Sequence, residues 1–152
     1  MELSEYLPPQ LVKVPLGAGD KSAAIAELVD LIAEQGLTKR RDQLLAAVME
    51  REAQKTTGIG RGFAVPHAKT DAIDNMTIAI GKMGEPIEFD AIDGKPVTLI
   101  ALIASPTSET RLHMQALARL SRLVMSQDTY EKMLVAQSAE DLHKLAINGV
   151  AG

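Results

Sequence analysis

The chain has 152 residues, the length of one compact domain, and its 46% hydrophobic and 24% charged residues are ordinary globular composition. An aromatic share of 3%, with no tryptophan, argues against a base-stacking surface, and a net charge of −4 gives no overall pull toward DNA or an anionic membrane. There is no cysteine, which excludes disulfides, thiolate metal sites and cysteine nucleophiles.

The opening segment MELSEYLPPQLVKV has no basic stretch followed by an apolar run, so no signal peptide is expected. Leu11 to Val14 reads as a strand. Asp20 or Ser22 caps a helix in which Ile25, Leu28, Val29 and Ile32 recur at helical spacing, and Gly36 ends it. A second helix begins near Lys39, with Leu44, Leu45, Val48 and Met49 as its apolar stripe. A Gly-rich stretch, TTGIGRGFAVPH, follows and contains a short strand at Phe63 to Val65. Thr77 to Met83 reads as a strand and Gly84 to Pro86 as a turn. Val97 to Ala104 is the longest apolar run, too short to span a bilayer and suited to a strand buried on both faces. Ser105 to Ser108 form a loop, Glu109 to Ser126 a long amphipathic helix, and Thr129 to Ala136 and Ala139 to Ile147 two shorter helices. Helices, strands and helices in that order predict a single α/β domain over residues 1–152, with a central sheet covered on both faces. We expect a soluble, cytoplasmic domain without membrane insertion or nucleic-acid binding.

Three histidines, His67, His113 and His143, are spaced too far apart for a paired metal motif. No nucleophile elbow or Gly-Lys-Ser/Thr phosphate loop is present. Gly58, Gly60 and Gly62 are spaced too tightly for a dinucleotide fingerprint, and a helix precedes them where a strand is needed. They instead allow backbone conformations that side chains resist, while Pro66 restricts the chain immediately before His67. His67 is expected at the carboxyl end of the short strand, where open α/β sheets place their sites. A neutral imidazole nitrogen there is a competent nucleophile near neutral pH. Taken alone, the Pro-His pair favours a structural turn with a satisfied ring.

Arg51 lies seven and three residues after Leu44 and Val48, on or beside the inward stripe of its helix. Its guanidinium either meets an anion, snorkels to water, or pairs with Glu50 or Glu52. His113 shares one helical line with Leu117, Leu120 and Val124, so it points inward, either as a bonded core histidine or as part of a site. His143 reads as a boundary residue without a role.

The stretch Arg51-Glu52, then Thr56-Thr57-Gly58-Ile59-Gly60-Arg61-Gly62-Phe63-Ala64-Val65-Pro66-His67, resembles the active-site signature of enzyme IIA proteins of the phosphoenolpyruvate-dependent phosphotransferase system. The match is to the fructose/mannitol class (type 2), which includes nitrogen-regulatory relatives. Phe89-Asp90, Asp93-Gly94-Lys95-Pro96-Val97, His113 and Ala116 to Leu120 resemble the second half of the same family. The resemblance implies a three-layer α/β/α sandwich with a mixed, roughly five-stranded sheet. It implies that His67 accepts a phosphoryl group from phospho-HPr and passes it to an enzyme IIB, that His113 assists, and that Arg51 stabilises the phosphoryl charge. Gly58, Gly60, Gly62 and Pro66 form the supporting loop, whose N–H groups are expected to help hold the phosphoryl oxygens. No cofactor or metal is implied, because alignment and charge stabilisation suffice for transfer between phosphoamino acids. Arg61 departs from the Asn often found in relatives. Three functions follow: a sugar-transport IIA, a nitrogen-related regulatory IIA that binds targets according to its phosphorylation state, and a relative that binds a partner and carries no phosphate.

Overall fold

The computed structural model describes residues 1–149. Six strands form one mixed sheet: β1 (Val12–Leu16), β2 (Gly58–Gly60), β3 (Phe63–Ala64), β4 (His67–Lys69), β5 (Thr77–Ile87) and β6 (Val97–Ser105). The order is β1-β5-β6-β3-β2, and β4 pairs with β6 farther along the same edge as β3. β6 carries the longest apolar run and is buried along nearly all its length, as a central strand covered on both faces must be. Its neighbour β5 runs antiparallel to it, while β3 and β4 run parallel.

Five helices cover the sheet in two packed groups, α1 (Lys21–Glu34) with α2 (Arg41–Gln54), and α3 (Thr110–Met125), α4 (Gln127–Val135) and α5 (Ala139–Asn148) in succession. The result is a three-layer α/β architecture. Asp20 caps α1 by accepting from the Ala23 N–H at 2.8 Å, and the expected stripe Ile25, Leu28, Val29 and Ile32 is fully buried. Leu44 and Val48 anchor α2, and Leu120, Leu123 and Val124 anchor α3.

Two expectations are corrected. Gly84 to Pro86 is not a turn: β5 continues to Ile87, with a register shift after Lys82. β1 pairs with β5 only as far as Leu16 opposite Met83, so the exposed residues 84–86 lie beyond its end, where proline's missing N–H is no loss. His67 does not close the short strand. Val65-Pro66 interrupts one edge, and His67 opens β4 on the far side, in register with Ile103 of β6.

Candidate functional site

The interruption positions His67. The Pro66 carbonyl accepts from Ile103 N–H at 3.0 Å and keeps the edge attached to β6. The Val65 carbonyl accepts from His67 Nδ1 at 2.7 Å. A carbonyl can only accept, so the neutral ring carries its proton on Nδ1, and Nε2 keeps a free lone pair. Burial above all, then the nearby Arg51 charge, lowers the His67 pKa below the usual histidine value; the Val65 bond and Glu52 pull it the other way. The ring is therefore neutral at neutral pH, with its Nε2 lone pair free.

His113 meets this ring from the first turns of α3. The ring centroids are 5.3 Å apart, with planes inclined at 61°. His113 is 3% exposed, and its Nδ1 lies 2.7 Å from the Ser105 hydroxyl at the end of β6. Burial, followed by the charges of His67 and Lys69, pushes its pKa down to about 4. Arg51 completes the group. It lies in the last turn of α2, where a cation also suits the helix dipole, and it donates to the Lys55 carbonyl at 2.9 Å. It pairs with neither Glu50 nor Glu52. Arg51, His67 and His113 line one cleft of about 400 Å³, with Met114 and Leu117 on its apolar side and Lys69 at its rim. A second hollow, of about 220 Å³, continues past Arg51 and His67 toward Thr57, Ile59 and Ile92.

Glu52 has a different role that the sequence did not reveal. It is buried, accepts from the Thr57 N–H at 2.9 Å and from the Thr57 hydroxyl, and meets Lys21 Nζ at 2.8 Å. Lys21 also sits over the Phe89 ring, 4.7 Å from its centroid. This network ties the end of α2 to the start of the Gly-rich loop and so fixes where Arg51 emerges.

The loop differs from the expected oxygen cradle. It folds as the β2–β3 hairpin, and the N–H groups of Thr57, Gly58 and Arg61 are already bonded to Glu52, Thr56 and Asp93. Gly60 and Gly62 do take the left-handed conformations expected of them, at φ 101° and 83°. Gly58 is required for another reason: a Cβ there would lie 2.9 Å from the Ala91 backbone. Arg61, between them, is itself left-handed at φ 59°, a conformation that Asn tolerates better than Arg. It is held by Asp93 on its N–H, by the Tyr130 hydroxyl on its carbonyl at 2.7 Å, and by a guanidinium bond to the Val124 carbonyl. The departure at Arg61 is thus a loop brace, and Arg61 lines neither of the two hollows. His143 bonds the Leu7 carbonyl through Nε2 at 2.9 Å and joins α5 to the N-terminal segment. Among the described residues no group of three or more His, Cys, Asp or Glu is arranged to hold a metal ion.

Residues 5–148 match the family described as "Phosphoenolpyruvate-dependent sugar phosphotransferase system, EIIA 2". The chain belongs to this type 2 EIIA family. A fructose-specific EIIA component of the phosphotransferase system from Haloferax volcanii is 40% identical over 139 residues, covering 91% of this chain and 90% of that one. The crystal structure of the nitrogen regulatory protein IIA-Ntr from Neisseria meningitidis superimposes with a TM-score of 0.87 at 28% identity, covering 95% of this chain and 98% of that one. A structure described as a complex of enzyme IIAMTL and phosphorylated enzyme IIBMTL from Escherichia coli matches with a TM-score of 0.77 at 18% identity, over 90% of this chain and 94% of that one, a likeness of fold. No helix among the described residues of this EIIA chain is long and apolar enough to cross a membrane.

Proposed function

We propose that this EIIA protein is a cytoplasmic phosphocarrier that accepts a phosphoryl group from phospho-HPr on His67 Nε2 and passes it to an enzyme IIB. The observation that carries this reading is the His67 Nδ1–H bond to the Val65 carbonyl. It leaves the Nε2 lone pair as the nucleophile, in a cleft shared with one guanidinium and one neutral imidazole.

In the first step the His67 Nε2 lone pair forms a bond to phosphorus as the donor's P–N bond breaks. The donor ring, protonated on its other nitrogen, leaves as neutral imidazole. His67 keeps its Nδ1 proton and becomes a phosphorylated imidazolium, whose positive charge the Val65 carbonyl stabilises. That charge prepares the second step. A nucleophile on IIB, its cysteine thiolate, attacks phosphorus, and the electron pair of the breaking P–N bond returns to Nε2, leaving His67 neutral again. Arg51 faces the phosphoryl oxygens through the steps, and its planar fork suits charge spread over three of them.

Identity to a fructose-specific EIIA component supports a role in sugar transport. The close superposition on a nitrogen regulatory IIA-Ntr supports a second reading, in which the phosphorylated and free states bind different target proteins. The two separate experimentally by a chase. The protein is first phosphorylated with phosphoenolpyruvate, enzyme I and HPr, and is then mixed with a fructose-type IIB. Transport predicts rapid movement of the phosphoryl group to IIB. Retention of the group on this protein favours the regulatory reading.

A further inference from the structure

Ser105 has no part in the scheme above. It is the last residue of β6, fully buried, and its backbone is fixed by the ladder: it stands opposite Lys69 of β4, and its carbonyl accepts from the Thr70 N–H at 2.7 Å. Its hydroxyl has one partner among the described residues, His113 Nδ1 at 2.7 Å. A bond between a hydroxyl and an imidazole nitrogen can run in either direction. If Nδ1 donated, the hydroxyl proton would be left without an acceptor in a place closed to water. An orphaned buried donor is rarer and costlier than an unfilled lone pair. The bond therefore runs from Ser105 Oγ–H to the Nδ1 lone pair. A neutral imidazole that accepts at Nδ1 carries its proton on Nε2. That nitrogen has no hydrogen-bond partner among the described residues and is not among their buried orphaned atoms, so it opens to the cleft that His113 lines beside His67.

We propose that Ser105 is a positioning residue: its hydroxyl holds His113 as the Nε2–H tautomer and so aims a hydrogen-bond donor at the phosphoryl group carried by His67. The two histidines then hold opposite proton arrangements. His67 is locked by a carbonyl with its Nε2 bare, as a nucleophile needs. His113 is locked by a hydroxyl with its Nε2 protonated, as a partner for phosphoryl oxygen needs. Two free Nε2 lone pairs would instead place electron density against the incoming oxygens. Burial that keeps His113 neutral makes the choice of tautomer matter, because an imidazolium would donate from both nitrogens whatever Ser105 did. The role of the donor rests on the phosphocarrier reading; the tautomer lock does not.

The test uses the full chain labelled with ¹⁵N, without phosphorylation, and reads the His113 ring nitrogens by long-range ¹H–¹⁵N correlation near neutral pH. The expected result is an unprotonated Nδ1 and a protonated Nε2 in the wild type and in Ser105→Thr, and a mixture of tautomers in Ser105→Ala. Transfer from phospho-HPr is expected to slow roughly tenfold in Ser105→Ala, to recover in Ser105→Thr, and to show no added loss when Ser105→Ala is combined with His113→Ala. A protonated Nδ1 on His113 in the wild type overturns the proposal, and so does a Ser105→Ala protein with unchanged tautomer and rate. If the wild type takes no phosphoryl group from active phospho-HPr, the phosphocarrier reading fails, and the spectra of the unphosphorylated protein still decide the lock.

Discussion

His67 and His113 meet edge-on at 5.3 Å, and each is anchored through the same ring atom, Nδ1, to a different kind of group. The Val65 carbonyl holds one ring and the Ser105 hydroxyl the other. Both anchors come from the sheet, one beside the break in the β3–β4 line and the other at the end of the central strand β6. The pair is therefore set by the most rigid part of the fold, while Arg51 reaches in from the end of a helix.

His113 should assist transfer without forming a covalent bond to the phosphoryl group. His113→Ala removes a donor and opens space in the cleft, but leaves the nucleophile and its carbonyl anchor intact. Phosphoryl acceptance from phospho-HPr should slow by roughly 10²-fold, with the full amount of label reached at long times. Rapid-quench kinetics under alkaline conditions measure this. Complete loss of labelling would make His113 an equal partner of His67.

Arg51 is half-buried, and its one hydrogen bond is to a helix-end carbonyl, so its removal should cost little stability. We predict that Arg51→Ala changes unfolding free energy by no more than about 1 kcal/mol while transfer falls by roughly 10²-fold. Arg51→Lys keeps the charge and loses the fork, so it should restore only part of the rate. Full restoration by lysine would show that charge alone matters.

Gly58→Ala tests the loop packing. The added Cβ would lie 2.9 Å from both Cα and Cβ of Ala91, a contact that forces the backbone apart. Destabilisation of about 1–3 kcal/mol is expected from chemical unfolding, with a loss of transfer because the same loop leads to Pro66 and His67. An unperturbed variant would mean that the segment around Ala91 yields without strain.

The depressed pKa of His113 predicts acid sensitivity. Burial, then the charges of His67 and Lys69, hold it at about 4, against 6.5 for a free histidine. Between those values the unfolded chain binds a proton that the folded chain refuses. Stability is therefore complete above about pH 6.5 and is lost as pH falls toward about 4, by up to about 3 kcal/mol. His113→Gln removes this titration, so urea unfolding at stepped pH should show a shallower decline in the variant over that window. Parallel declines would place the acid sensitivity elsewhere.

Much of this was legible in the chain because it is local. The period of α3 aimed His113 inward, the apolar run of β6 marked the central strand, and the spacing from Leu44 and Val48 brought Arg51 to the inner edge of α2. What was not legible depends on partners distant in sequence. Nothing in the segment around residue 105 shows that Ser105 will meet a ring eight residues later. Glu52 reads as another helix-surface carboxylate until Lys21 and Thr57 close over it. The same limit explains the residues read as a turn in β5, where the absence of a neighbour past Leu16 lets Gly84 and Pro86 remain in a strand. Gly58 was read through its backbone freedom, whereas its need is for space against Ala91.

Intact mass under alkaline conditions decides whether His67 carries the phosphoryl group, because phosphohistidine is lost in acid. Incubation with phosphoenolpyruvate, enzyme I and HPr should add one phosphoryl group to the wild-type chain and none to His67→Ala. Labelling that survives His67→Ala would place the phosphoryl group on another residue, and a wild-type chain left unlabelled by active phospho-HPr would mean that it is no phosphocarrier.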